Sequence, residues 1–370
     1  MGKKNDVMHF INQLLAKATE RRASDIHIEP QAEQVRIRQR VDGFLLETDQ
    51  LAKEFANALV SHIKVTSQLD IGEKRMPQDG AMRWERADTC VDIRVSTLPT
   101  IHGEKVVLRL LKNHRQSFQL HDLGMPEEEQ RRTERILHKK SGLVIVSGPT
   151  GSGKTTTLYA MLQALNRVET NIVTLEDPIE LKLDGVNQVQ IRPKAGLTFA
   201  RGLRSVLRQD PDIIMIGEIR DVETANIAIS AALSGHLVLT SLHTSDVVRT
   251  ITRLIDMGIE PYRVAAALSG VVAQRLVRLV CQICRGTQCP DCQDTGYYGR
   301  TGAFEVMEMD EELERLIARG ATLGEVRHHL QNQGMKGLKE AVQELVDQNR
   351  TTYEEWMRVI EGVEKEQVEC

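Results

Sequence analysis

The run Val144-Ile145-Val146-Ser147-Gly148-Pro149-Thr150-Gly151-Ser152-Gly153-Lys154-Thr155-Thr156-Thr157 constrains this chain more than any other stretch. It begins as an uninterrupted apolar strand, continues as G-x-x-x-x-G-K-T, and passes into Leu158, Met161, Leu162 and Leu165 at helical spacing. Strand, glycine loop and helix in that order make a phosphate-binding loop, because glycines let successive backbone N–H groups turn toward an anion at a helix N-terminus. The binding set is Gly148, Pro149, Thr150, Gly151, Ser152, Gly153, Lys154, Thr155 and Thr156. Lys154 is expected to reach the β- and γ-phosphates of a nucleoside triphosphate, and the Thr155 hydroxyl to sit on Mg²⁺.

Length and composition set the frame around this loop. The 370 residues suffice for two domains and a small appendage. Hydrophobic residues make up 41%, charged residues 27%, and the formal net charge is -4, which gives no support for strong nonspecific nucleic-acid binding. Direct contact with nucleic acid is therefore not expected. Aromatics at 4% imply aliphatic cores. The first residues lack the apolar core of a signal peptide. Residues 262–280 read as the most apolar long helix, but Arg263, Gln274, Arg275 and Arg278 make it too polar to span a bilayer. The expectation is a cytoplasmic protein that meets a membrane through a partner.

Ahead of the loop, Phe10, Ile11, Leu14, Leu15 and Ala18 share one face of a helix over residues 5–22. The pattern then shifts to period two over residues 24–30 and 35–41, with Asp42-Gly43 as a hairpin turn before Phe44-Leu45-Leu46. A helix over residues 51–67 and strands over 90–96 and 105–111 complete a small α+β domain with an antiparallel sheet, residues 1–113. A linker over 114–125 and a charged helix over 126–140 lead to the glycine loop. Arg94 and Arg109 interrupt apolar strand runs. Either they mark a solvated sheet face, or they supply positive charge to a phosphate held by the next domain.

Beyond the loop, three apolar strands end in polar stations. Asn171-Ile172-Val173-Thr174-Leu175 ends in Glu176-Asp177-Pro178, Asp212-Ile213-Ile214-Met215-Ile216 ends in Gly217-Glu218, and His236-Leu237-Val238-Leu239-Thr240 leads to Ser241-Leu242-His243. Strand and helix alternate, so a mostly parallel sheet with helices on both faces is expected, with ligands at the C-terminal strand ends. Glu176 and Glu218 are the candidate acids, Glu218 also for Mg²⁺, and His243 is a candidate γ-phosphate sensor. The absence of an Asn-Lys-x-Asp guanine-reading sequence favours ATP over GTP.

Cys281-x-x-Cys284 and Cys289-x-x-Cys292 place four thiols in a compact segment, residues 281–292. In a cytosolic protein that arrangement favours a structural tetrahedral Zn²⁺ over disulfides, with reduced thiols or a redox site as the alternatives. The short gap of residues 285–288 implies strain. Cys90 and Cys370 read as a buried thiol and a tail thiol. From residue 309 the pattern is helical, with Leu313, Leu316 and Ile317, then Leu323, Val326 and Leu330, then Leu338, Ala341, Val342 and Leu345 on apolar faces, broken at Gly320 and Gly334. This predicts a helical subdomain over 309–370, with residues 364–370 frayed.

These motifs together resemble the secretion-ATPase superfamily of type II secretion and type IV pilus motors. The resemblance rests on the glycine loop, on Thr174-Leu175-Glu176-Asp177-Pro178-Ile179-Glu180, on Ile214-Met215-Ile216-Gly217-Glu218-Ile219-Arg220-Asp221 and on Ser234-Gly235-His236 through His243-Thr244. It also takes in Ala23-Ser24-Asp25-Ile26-His27-Ile28-Glu29-Pro30, Arg40-Val41-Asp42-Gly43, Arg94-Val95-Ser96-Thr97-Leu98-Pro99, Gly103-Glu104-Lys105-Val106-Val107-Leu108-Arg109, Ala273-Gln274-Arg275-Leu276 and Gly299-Arg300-Thr301-Gly302. The resemblance implies a homo-hexameric ring ATPase at the cytoplasmic face of an inner-membrane assembly platform. It implies a PAS-like first domain and a RecA-like domain over residues 126–308, with ATP between them. It assigns Glu176 to water activation, Glu218 to the Walker B acid, His236 and His243 to the vicinity of the nucleotide, and Arg94 and Arg109 to the γ-phosphate. The first domain starts almost at Met1, as in the short ATPases of competence pseudopili. The four cysteines favour assembly over retraction. The alternatives are a DNA-translocating or conjugation-type secretion ATPase, a small-molecule kinase, and a nucleotide-regulated scaffold.

Overall fold

A computed structural model describes residues 2–86, 89–112 and 119–362. The chain forms two compact units, Met1–Arg115 and Gln116–Cys370. The first contains α1 (Gly2–Glu20), β1 (Asp25–Pro30), β2 (Gln34–Val41), β3 (Phe44–Ala52), α2 (Ala56–Thr66), β4 (Gln78–Arg86), β5 (Thr89–Thr100) and β6 (Gly103–Lys112). Its strands form one antiparallel sheet in the order β3-β2-β1-β6-β5-β4. Alternation decides the faces: Ile26, Ile28, Val35, Ile37, Ile93, Val95, Val106 and Leu108 are buried in one core with Ile11, Leu14 and Leu15 of α1 and Leu59 and Ile63 of α2.

Two expectations for this unit change. The helix expected from residue 51 begins at Ala56, because Leu51 and Ala52 continue β3, opposite Val35 and Gln34. Strand β4 was not anticipated. It is an edge strand with a single buried side chain, Trp84, whose indole donates to Asn12 of α1 at 3.0 Å, so it carries almost no apolar pattern.

The second unit contains α3 (Glu127–Leu137), β7 (Gly142–Ser147), α4 (Lys154–Leu165), β8 (Ile172–Glu176), β9 (Asn187–Gln190), α5 (Phe199–Val206), β10 (Ile213–Ile216), α6 (Val222–Leu233), β11 (Leu237–Leu242), α7 (Val247–Asp256), α8 (Pro261–Ala267), β12 (Leu268–Val280), β13 (Tyr297–Glu308), α9 (Glu311–Ala318), α10 (Leu323–Asn332), α11 (Leu338–Asp347) and α12 (Tyr353–Trp356). The sheet order is β13-β12-β7-β11-β10-β8-β9, parallel except for β13 at one edge. Successive residues of β7 enter different cores, Leu143 and Ile145 on one face, Val144 and Val146 on the other. Burial on both faces is why this strand reads as an unbroken apolar run.

The same burial explains the largest correction. Residues 262–280, expected as one helix, divide into the short α8 and the strand β12. With both faces of β12 buried there is no alternation to read, and β-branched Val271, Val272 and Val277 suit a strand. Gly270 is required there: a Cβ would stand 2.5 Å from Ile136 Cδ1 and 2.8 Å from the Met307 carbonyl. The expected linker is also corrected in its second half, because Leu120 and Met125 are buried in the core of the second unit. Its first half, and the tail expected to fray, lie outside the described residues. The C-terminal helices share the main core too, through Leu313, Ile317, Val326, Leu330 and Leu338.

Candidate active site

Strand β7 delivers the chain to the glycine loop, and α4 carries it away. Gly148, Gly151 and Gly153 have φ of +151°, +79° and +91°, values that L side chains resist. Gly148 is doubly fixed, since a Cβ would meet Ser152 Oγ at 2.5 Å and the Gln274 carbonyl at 2.6 Å. No side chain caps α4, so its N-terminal amides are left for an anion. Pro149, Thr150, Gly151 and Thr155 are exposed and Thr156 is half-buried.

Lys154 folds back over the loop and donates to the carbonyls of Gly148 at 2.8 Å and Pro149 at 2.9 Å. It is 9% exposed. Burial lowers its pKa to about 8, with the Arg275 charge adding to that and Glu218 opposing it. The buried hydroxyls of Ser147, Ser152 and Thr240 have no hydrogen-bond partner among the described residues. Glycine geometry, an uncapped helix start, a poised ammonium and orphaned hydroxyls at these strand ends fit a triphosphate with Mg²⁺.

The other stations converge on the same edge of the sheet. Glu218 follows β10, accepts from Arg220 at 2.6 Å, and lies 3.5 Å from His243 Nε2 beyond the end of β11. The Arg220 hydrogen bond holds its carboxyl below the usual range, and the nearby charges of His243 and Lys154 act the same way against burial. Ser241 donates to the Gly217 carbonyl at 2.7 Å and ties the ends of β10 and β11 together. Glu176, at the end of β8, is 3% exposed. Its carboxylate accepts from Thr174 at 2.6 Å, from Gln188 at 3.0 Å and from the Tyr159 hydroxyl of α4. Burial and this carboxylate push the Tyr159 hydroxyl well above the ordinary phenol range. Glu176 is thus pinned by α4, β8 and β9.

His236 is not brought to this site. It precedes β11, and its ring lies 3.0 Å from the Ala231 carbonyl. The P-loop and His243 lie at the far ends of β7 and β11, which run parallel from Gly142 and Leu237 to Ser147 and Leu242. Seven steps at roughly 3.3 Å each put His236 about 23 Å from His243. Arg94 and Arg109 belong to the first unit, where they face each other across β5 and β6. Arg109 donates to Asp25 at 2.8 Å, and both lie on the sheet face opposite the buried Ile93, Val95 and Leu108.

Two site residues were missed because β12 was taken for a helix. Gln274 and Arg275 reach the P-loop and the loop after His243, Arg275 donating to the Ser245 carbonyl at 2.7 Å. The available signal was the adjacent polar pair Gln274-Arg275 directly after the apolar Val271-Val272-Ala273.

The four cysteines lie between β12 and β13. Their sulfurs are all within 4.8 Å of one another, with Cys281 3.9 Å from Cys289, Cys284 3.8 Å from Cys292 and Cys289 3.7 Å from Cys292. A tetrahedral Zn²⁺ with ~2.3 Å bonds separates its sulfurs by about 3.8 Å, so the cluster fits. The amides of Cys289 and Gly296 each donate to the Cys292 sulfur at 3.3 Å. The strain of the short gap appears as left-handed backbone at Arg285, with φ of 50°, and Gln288, with φ of 79°. Cys90, expected to be buried, is only half-buried and accepts from Arg83 at 2.9 Å, because it sits on the open face of β5. Cys370 lies outside the described residues.

The family of type II/IV secretion system proteins matches residues 2–358. The chain belongs to that family. It is 47% identical over 361 residues to the type II secretion system protein HxcR of Pseudomonas aeruginosa, covering 95% of this chain and 77% of the relative. It is 43% identical over 373 residues to the type IV pilus assembly ATPase PilB of Thermus thermophilus, covering 94% of this chain and 42% of that one. The X-ray structure of the Legionella pneumophila ATPase DotB superposes with a TM-score of 0.76 at 25% identity, covering 96% of each chain. This member of the type II/IV secretion family is accordingly an ATP hydrolase that uses ATP and Mg²⁺. Its second unit is the RecA-like α/β domain of that class. No helix among the described residues is long and apolar enough to cross a membrane.

Proposed function

We propose that the chain works as a homo-hexameric motor at the cytoplasmic face of a cell membrane, where ATP hydrolysis drives assembly of a type II secretion or type IV pilus class filament, with the competence pseudopilus as one form. The observation that carries this reading is the convergence of Lys154, Glu218 and His243 at one sheet edge beside the glycine loop. The loop amides and Lys154 hold the phosphates, and Thr155 and Glu218 hold Mg²⁺. Glu176 helps to orient the attacking water, and His243 senses the γ-phosphate through Glu218. The first unit is the PAS-like domain, and its Arg94 and Arg109 supply positive charge that stabilises the γ-phosphate during hydrolysis. The four cysteines between β12 and β13 form a knuckle that holds one structural zinc, and an inner-membrane platform protein is the partner that anchors the ring.

The arginines give the biochemical test. Arg94→Ala and Arg109→Ala should each cut turnover at least about 100-fold while changing ATP affinity less than about threefold. Unchanged turnover in both would remove the first unit from the chemistry. In the cell, deletion of the gene should abolish filament display or secretion. Intact filaments and secretion with failed DNA transfer, together with DNA-stimulated hydrolysis in vitro, would replace the filament reading by a DNA-translocating one.

A further inference from the structure

We propose that Gln274 is a positioning residue for ATP binding: its side-chain amide fixes one peptide plane of the phosphate loop and so aims the Gly153 N–H at the nucleotide. Register places it there. β12 runs parallel to β7 with Ala273 opposite Ser147, so the next residue stands beside the first glycine of the loop. Gln274 is 2% exposed, yet both ends of its amide are engaged. Nε2 donates to the Ser152 carbonyl at 2.6 Å, and Oε1 accepts from the Thr157 hydroxyl at 2.7 Å. A Cβ on Gly153 would meet this Nε2 at 2.9 Å, and one on Gly148 would meet the Gln274 backbone carbonyl at 2.6 Å. One residue therefore shapes the loop at its beginning, at its end and on the first turn of α4.

The chemical consequence follows from peptide geometry. The Ser152 carbonyl and the Gly153 N–H belong to one planar trans peptide, in which C=O and N–H point in opposite directions. Holding the carbonyl toward Gln274 points the N–H away from β12. Without that hydrogen bond the plane can rotate, because Gly153 offers no side-chain resistance, and the amide loses its aim before the anion arrives. Gln274 touches no reacting atom. It acts by preorganising a donor, the kind of contribution that appears in nucleotide affinity. The Ser152 carbonyl can only accept and so takes the Nε2 end of the amide, while the Thr157 hydroxyl anchors the other end by donating to Oε1.

The inference rests on ATP binding at the glycine loop, and the experiment separates the two. Nucleotide Kd by fluorescent ADP titration, together with kcat and KM for MgATP, is measured on purified full-length wild type, Gln274→Met, Gln274→Glu and Thr157→Val, each checked for folding by thermal melting. Gln274→Met keeps the length and removes the donor; Kd and KM should rise about tenfold, which is about 1.4 kcal/mol, with kcat changed less than about threefold. Gln274→Glu should be worse, since it sets a carboxylate against the Ser152 carbonyl near the phosphates. Thr157→Val, which leaves Gln274 in place but frees its amide to turn, should raise Kd about threefold. A lower melting temperature with wild-type Kd in Gln274→Met would overturn the proposal, because it would make Gln274 mere packing. If Gln274 variants do not fold, an unchanged Kd in Thr157→Val overturns it alone, and a raised Kd supports it. A wild type that binds no nucleotide, or binds it equally well as Lys154→Ala, would instead defeat the glycine-loop assignment itself.

Discussion

The phosphate loop borrows its shape from far along the chain, since Gln274 grips Ser152 from 122 positions away and Glu218 and His243 arrive on other strands. The cysteine knuckle is built locally, with contacts to its sulfurs that span only 3 to 8 positions. Both hang on β12, which passes the loop at Gln274 and enters the knuckle at Cys281. The long-range site depends on the whole sheet being in register, whereas the local one depends on its own turns, which set its four sulfurs at a spacing that fits a metal ion. Damage to one should therefore leave the other largely intact, and three perturbations probe that separation.

The largest effect is expected from replacing Cys281 and Cys284 together by serine. Elemental analysis should find about one zinc per wild-type chain and almost none in the double variant, with the knuckle becoming protease-sensitive. Nucleotide Kd should change less than about twofold. A folded wild type without metal would refute the zinc assignment, and a collapse of nucleotide binding would break the separation.

Next comes the root of the knuckle. Glu355 of α12 is fully buried and accepts from Arg278 of β12 at 2.7 Å and from Arg358 at 2.6 and 2.7 Å. The Arg278 guanidinium also lies 4.8 Å from the ring centroid of Tyr297, where β13 begins. Glu355→Ala removes the buried carboxylate that Arg278 and Arg358 share and should cost about 3–5 kcal/mol of stability by denaturant unfolding. Burial alone would raise the Glu355 carboxyl, but the Arg358 and Arg278 guanidiniums outweigh it and hold it below 4.5. Its stabilisation is therefore complete above pH 4.5 and is lost as pH falls below that value. A variant whose stability and acid sensitivity match wild type would show that this pair does not secure the knuckle.

The smallest effect concerns the other end of the hairpin. Burial, and then the Asp246 carboxylate, push Glu305 of β13 up to about 7, with Glu340 adding to this and the Leu338 amide and Arg327 opposing it. Between pH 4.5 and 7 the unfolded carboxyl ionises while the folded one keeps its proton, so stability falls as pH rises through that window. Glu305→Gln should gain on the order of 2 kcal/mol relative to wild type at pH 8 and nothing at pH 4. Equal gains at both would assign the effect to packing.

How much was legible in the sequence follows the same division. The knuckle and the glycine loop could be read directly, because spacing of a few residues specifies both. The stations Glu176, Glu218 and His243 were also visible, since each ends an apolar strand. What could not be read was contact at long range. The bracing by Gln274 depends on β12 being a strand beside β7, and a run buried on both faces shows neither helical nor strand period. His236 shows the converse: the resemblance placed it with His243 near the nucleotide, whereas the length of β11 separates the two and sets His236 at the opposite end of that strand. Strand β4 escaped for want of pattern, having only Trp84 to bury.

The assignment on which the proposed function stands is that of residues 148–155 as the phosphate site of an ATP hydrolase. Its most direct test is phosphate release from MgATP by the purified chain, wild type against Lys154→Ala, with folding of both verified by melting. Turnover in the wild type and a loss of about 100-fold or more in the variant are expected. Equal turnover in the two proteins would contradict it.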